Sequence, residues 1–156
     1  MFAEIKKLDG IGPADILKSL NTDVNRDSIF KAKESAGKSG SFFFFSYDRK
    51  FLIKTMNDGE LSIFRKALPT YLLHCRENRN NLIARIYGVF TVQMEDIAPV
   101  HLFLMANCAQ SGKDIVNVFD LKGSMINREE KDYNAGTLKD VNLLNICSKE
   151  KILKFR

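Results

Sequence analysis

Two apolar runs flank a three-residue charged break: Phe42, Phe43, Phe44, Phe45 and Tyr47, then Asp48-Arg49-Lys50, then Phe51, Leu52, Ile53, Thr55 and Met56. Short aromatic and β-branched runs bounded by polar breaks read as strands, and so short a break joins neighbours antiparallel. An antiparallel meander is therefore the frame into which the rest must fit. The same pattern predicts a strand at 29–33, a small-residue turn at 35–41, and further strands at 82–92, 100–106 and 115–119. After Asn57-Asp58-Gly59, the residues Leu61, Phe64, Leu68, Tyr71, Leu72 and Cys75 recur at steps of three and four, the stripe of a helix lying on a core. Pro69 interrupts that stripe and predicts a kink or restart. Ahead of the strands, Ile5, Leu8, Ile11, Ile16, Leu17 and Leu20, broken by Gly10, Gly12 and Pro13, predict two short helices, and 149–155 predicts the opening of a last one. The fold class is α+β, an antiparallel sheet with flanking helices.

A chain of 156 residues, 45% apolar, can bury a core and fits one domain. Its 24 basic and 19 acidic residues leave a net charge of +5, which favours anionic partners. The basic residues occur as pairs, Lys6-Lys7, Arg49-Lys50 and Arg65-Lys66, interleaved with acids, so no nucleic-acid arm is expected. Three cysteines without a C-x-x-C pair suggest neither a disulfide framework nor a zinc site, and fit reduced thiols in a cytoplasmic protein. The start, MFAEIKKLDG, has no apolar leader core, and no stretch approaches the roughly 18 apolar residues that span a bilayer, so membrane contact is expected to be peripheral.

Three segments can carry chemistry. In the turn Gly37-Lys38-Ser39-Gly40-Ser41, small residues let backbone N–H groups approach an anion, and a lysine and hydroxyls can add to a phosphate cradle. It is not a P-loop: the required first glycine is Ala32, and the segment opens a phenylalanine-rich strand where a P-loop opens a helix. An ordinary hairpin turn is the plainer account of this segment taken alone. Lys54 sits in an apolar strand, where an ammonium is costly unless paired; it shares a face with Leu52 and Met56. Such a lysine beneath a glycine turn can reach the α- and β-phosphates of ATP, or it can simply reach solvent at the strand's end. Glu60 is the nearest helix acid able to hold it, although the helix dipole alone accounts for a glutamate there. In Val118-Phe119-Asp120-Leu121-Lys122-Gly123-Ser124, with Arg128 four residues on, an acid and two cations follow a strand around a glycine, a phosphate- or metal-directed loop or a plain turn. His74 and His101 have no ligand-like spacing and are read as a surface helix position and a strand start.

The order of these motifs carries a resemblance. Gly37 to Phe43, then Phe51-Leu52-Ile53-Lys54-Thr55, Leu68-Pro69-Thr70-Tyr71, Ile86-Tyr87-Gly88-Val89-Phe90, Asp120-Leu121-Lys122-Gly123-Ser124 and Thr137-Leu138-Lys139-Asp140 together resemble the phosphatidylinositol phosphate kinases, over nearly the whole chain. The resemblance implies the N-terminal lobe of that (SAICAR synthase-like) fold, with the C-terminal lobe missing. It divides 1–156 into a helical lead-in (1–27), a nucleotide-binding lobe (28–147) and the start of the next lobe (148–156). It implies ATP-dependent phosphorylation of the inositol ring of a phosphatidylinositol monophosphate by the full-length enzyme, peripherally bound to an anionic membrane. Gly37, Lys38, Ser39, Gly40 and Ser41 would cover the phosphates; Lys54 would contact them. Met105 and Asn107 would lie beside adenine. Lys122 would act near the phosphates or head group, with Asp120 and Arg128 shaping that loop. Mg²⁺ ligands, the catalytic aspartate and the activation loop are expected downstream of Arg156, so the chain alone is expected to be inactive. A non-catalytic module binding nucleotide or anionic membrane is the alternative. Asn142 stands where the family usually has an acid, and Ser62 where it often has a second glutamate. Thr137 to Asp140 is similar to enzymes using the 4- or 5-phosphate, whereas Phe119 and Met125 to Arg128 are similar to those using the 3-phosphate. An edge strand near Ile29 is a candidate for pairing in a homodimer.

Overall fold

The computed structural model describes residues 1–31, 41–110 and 114–150. The chain divides into two compact units, Met1–Gln110 and Ser111–Arg156.

The first unit opens with three helices, α1 (Phe2–Leu8), α2 (Pro13–Ser19) and α3 (Thr22–Lys31). Pro13 stands at the start of α2, where its missing N–H costs nothing, and the Asp15 carboxylate accepts from the Gly12 amide at 2.8 Å. The segment read as a strand from Ile29 is instead the end of α3, and residues 32–33 lie outside the described residues. Asn21 starts that helix by accepting from Asp23 N at 2.8 Å through its side chain, a local cap that outweighs the β preference of Ile29. The edge strand invoked for pairing between subunits is therefore absent at Ile29.

Strands β1 (Phe43–Phe45), β2 (Phe51–Met56), β3 (Ile86–Met94) and β4 (Ile97–Ala106) form one antiparallel sheet in the order β1-β2-β4-β3. The β1–β2 hairpin follows from the two apolar runs, with Phe43 opposite Lys54 and Phe45 opposite Leu52. Its tip is not a loose polar loop. Asp48 accepts from the Ser19 and Ser46 hydroxyls at 2.6 and 2.7 Å, and Asn25, 1% exposed, accepts from Tyr47 N while donating to the Ser19 and Asn21 carbonyls. Burial works against ionisation of Asp48, yet these donors hold its carboxyl below the usual range. The lead-in helices are thereby bonded to the hairpin.

Between β2 and β3 runs α4 (Asp58–Glu77), a single helix that passes through Pro69 without the expected restart. Pro69 and Arg65 are both exposed, so the proline's missing amide falls on the solvent side of the helix. The Tyr71 hydroxyl donates to Ala84 O at 2.9 Å and accepts from Ile86 N at 2.8 Å, tying α4 to the start of β3. Burial pushes that phenol up to about 12. The core is Ile5, Phe51, Leu72, Tyr87 and Leu104, with Ile11, Ile16, Leu20 and Ile53 packed around it, and Phe51 meets Tyr87 edge-on at 5.9 Å.

In the second unit the run 115–119 forms no ladder. Phe119 makes one parallel bridge, to Leu138, and α5 (Asp140–Glu150) follows. The last helix, expected to open at 149, opens instead at Asp140, and residues 151–155 lie outside the described residues. No helix among the described residues is long and apolar enough to cross a membrane.

Candidate functional site

The candidate residues fall into two clusters, one in each unit. In the first, directly opposed residues of the ladder project to the same face, so Lys54, its partners Phe43 and Phe103, and the pair Leu52 and Met105 share one side of the sheet. Helix α4 covers this side: Phe64 meets Phe103 edge-on at 4.9 Å. The Lys54 ammonium is 22% exposed and donates to Glu60 Oε1 at 3.2 Å. Glu60 reaches it because it is the third residue of α4. Its backbone N–H donates to Asn57 Oδ1 at 2.8 Å, and its Oε2 accepts from Asn57 N at 2.9 Å, a reciprocal capping box. The Asn57 amide is the main reason the Glu60 carboxyl lies below its usual range; partial burial opposes this, and Lys54 adds to it. One carboxylate thus starts the helix with one oxygen and holds the cation with the other.

Gly37, Lys38, Ser39 and Gly40 lie outside the described residues; Ser41 is buried just ahead of β1. Asn107 is turned to another task. Its amide donates to Arg49 O at 2.8 Å, its Oδ1 accepts from Ala109 N at 3.1 Å, and its backbone N–H donates to Lys50 O at 2.9 Å, so it braces the β1–β2 turn. In that turn Arg49 takes a left-handed conformation, φ 56°. The geometry joins Lys54 and Met105 on one face and commits the Asn107 side chain to the hairpin.

In the second unit the organising group is Asp140, quoted in a motif but not singled out by sequence reasoning. Its Oδ1 accepts from Lys122 N at 3.0 Å and Gly123 N at 2.9 Å, and its Oδ2 accepts from Arg128 Nε at 2.8 Å. Gly123 is left-handed, φ 68°, which aims two successive amides at one carboxylate. Arg128 also donates to the Asp120 carbonyl and lies 3.4 Å from its carboxylate. The Arg128 guanidinium, with the loop amides, holds the Asp140 carboxyl down at about 2. Lys122 is left with its ammonium outward, 63% exposed, 2.7 Å from Asp120 Oδ1. The hydrogen bond from Lys122 lowers the Asp120 carboxyl.

Asn142, 0% exposed, explains why an amide serves where an acid was expected. Its Oδ1 accepts from Glu130 N and Lys139 N at 2.8 and 3.1 Å, while its Nδ2 donates to Glu130 O at 2.8 Å. A carboxylate has no donor for that carbonyl. Asp140 and Asn142 are the first and third residues of α5, a helix start that the apolar spacing did not announce. Spacing alone did not show what they would grasp.

Both clusters present a cation held by a carboxylate, suited to gripping phosphate oxygens. Among the described residues no three His, Cys, Asp or Glu side chains gather as a cation site.

Comparison with known proteins gives the family. The family model described as phosphatidylinositol-4-phosphate 5-kinase matches residues 24–155. A probable phosphatidylinositol phosphate kinase of Dictyostelium discoideum is 38% identical over 149 residues, covering 92% of this chain and 21% of the relative. The phosphatidylinositol 4-phosphate 5-kinase its3 of Schizosaccharomyces pombe is 37% identical over 129 residues, covering 83% of this chain and 17% of its own. Phosphatidylinositol 4-phosphate 5-kinase 4 of Arabidopsis thaliana is 34% identical, covering 92% and 19%. The class is that of the phosphatidylinositol phosphate kinases, which are transferases. The chain belongs to the phosphatidylinositol-4-phosphate 5-kinase family, and it spans about a fifth of the length of these relatives.

Proposed function

We propose that the chain supplies the nucleotide-facing sheet of an ATP-dependent kinase that phosphorylates the 5-hydroxyl of phosphatidylinositol 4-phosphate at a membrane surface. The observation that carries this is the Lys54–Glu60 pair, a strand ammonium held by a helix carboxylate on the face that also bears Met105. Phosphoryl transfer depends on positioning and charge stabilisation, and a lysine anchored in this way is a standing charge for the phosphates. The relatives' names support the choice of lipid and hydroxyl. Residues 37–41 would cover the phosphates, Met105 would sit beside adenine, and Lys122 would reach phosphate or head group. Asp120, Arg128 and Asp140 would keep the Lys122 loop in shape. A net charge of +5 would hold the protein to anionic lipid without insertion.

The test is titration with a fluorescent ATP analogue. Lys54→Met should weaken binding about tenfold or more, the worth of a charge-assisted hydrogen bond. Unchanged affinity would remove Lys54 from the nucleotide site.

A further inference from the structure

His101 lies on β4 opposite Met56, the last residue of β2, at the point where the chain leaves the sheet to begin α4. It projects to the face that carries Lys54 and Phe103. Its side chain is 12% exposed and bonded on both nitrogens: Nε2 lies 2.8 Å from Asp58 Oδ1, and Nδ1 lies 2.9 Å from Thr91 Oγ1. An ionised carboxylate only accepts, so Nε2 carries a proton and donates to Asp58, while Nδ1 shares a hydrogen bond with the Thr91 hydroxyl. Asp58 is the first residue of α4, with a side chain 96% exposed. Among the described residues its hydrogen bond to the sheet is to this imidazole. Two residues later comes Glu60.

The capping box fixes Glu60 relative to Asn57, but it lies within the turn and does not fix that turn against the sheet. Phe64 packs on Phe103 one turn farther along, and at the first turn itself the Asp58–His101 bond adds an attachment to β4. We propose that His101 is a positioning residue: by holding Asp58 it sets the first turn of α4 against β4 and so keeps Glu60 within reach of Lys54. The functional value of this rests on Lys54 being the nucleotide cation, but the positioning itself does not.

The test is competitive acetylation of lysines with acetic anhydride, read residue by residue by mass spectrometry in wild type, His101→Ala and His101→Gln. Glutamine keeps an N–H able to reach Asp58. Lys54 acetylation should rise about two- to fivefold in His101→Ala, the range expected when a partly exposed ion pair is released, and fall back towards wild type in His101→Gln. Iodoacetamide labelling of Cys75, which is 0% exposed, reports whether the core stays closed. Where His101→Ala opens Cys75, Asp58→Ala gives the same comparison from the surface end of the bond. Unaltered Lys54 acetylation with Cys75 closed overturns the proposal, as does glutamine behaving like alanine. Failure of Lys54→Met to weaken nucleotide binding would remove Lys54 from the nucleotide site and leave the acetylation comparison standing, so the two failures are distinct.

Discussion

At the scale of single residues, Asp140 does most to order the second unit, and its ionisation sets a pH window. Arg128, with the Lys122 and Gly123 amides, lowers its carboxyl from the usual 3.8 to about 2. A depressed folded value means the stabilisation is complete above the ordinary value and disappears as pH falls through the lowered one. The Gly123 amide resonance should therefore hold its position down to about pH 4 and move between about pH 4 and pH 2. In Asp140→Asn that transition should vanish, with the loop already altered at neutral pH; two-dimensional NMR against pH reads both outcomes. Neither Asp140 nor Asn142 could be read as a clamp from sequence, because each acts on backbone groups of residues 12 to 18 positions away in the chain. Lys54 was legible for the opposite reason. An ammonium in an apolar strand must have a partner, and the helix that begins four residues later offers a carboxylate.

At the scale of elements, the strands that were legible are those whose apolar pattern is satisfied within the sheet. β1, β2 and β4 appear close to their expected places, and β3 begins four residues later than expected. The run 115–119 had the composition of a strand but gained only a bridge, since composition does not supply a neighbour. The stretch around Ile29 failed because a polar side chain, Asn21, started a helix that hydrophobic pattern did not announce. Asn25 on that same helix matters to the sheet: it satisfies Tyr47 N and two carbonyls at once. Asn25→Ala should cost about 2 kcal/mol, because buried partners left without hydrogen bonds each carry a desolvation penalty. Urea denaturation followed by tyrosine fluorescence should show a lower midpoint with an unchanged slope.

At the scale of the molecule, charge links the two clusters by a shared rule and not by geometry. Lys54 has Glu60, Lys122 has Asp120, and Arg128 has both Asp120 and Asp140. The total excess of +5 overstates what an approaching polyanion would find unopposed at these positions. Sedimentation with phosphatidylserine vesicles should show binding that weakens as salt rises from low to physiological strength, where screening shortens to about 8 Å. Raising the charge by Asp120→Asn should steepen that dependence. A phosphate reaching Lys54 or Lys122 meets an ammonium already bonded to a carboxylate and uses the donors which that carboxylate leaves open. Each cluster accordingly offers aimed hydrogen bonds more than free charge, which rewards a ligand of closely spaced oxygens and turns away weakly charged ones.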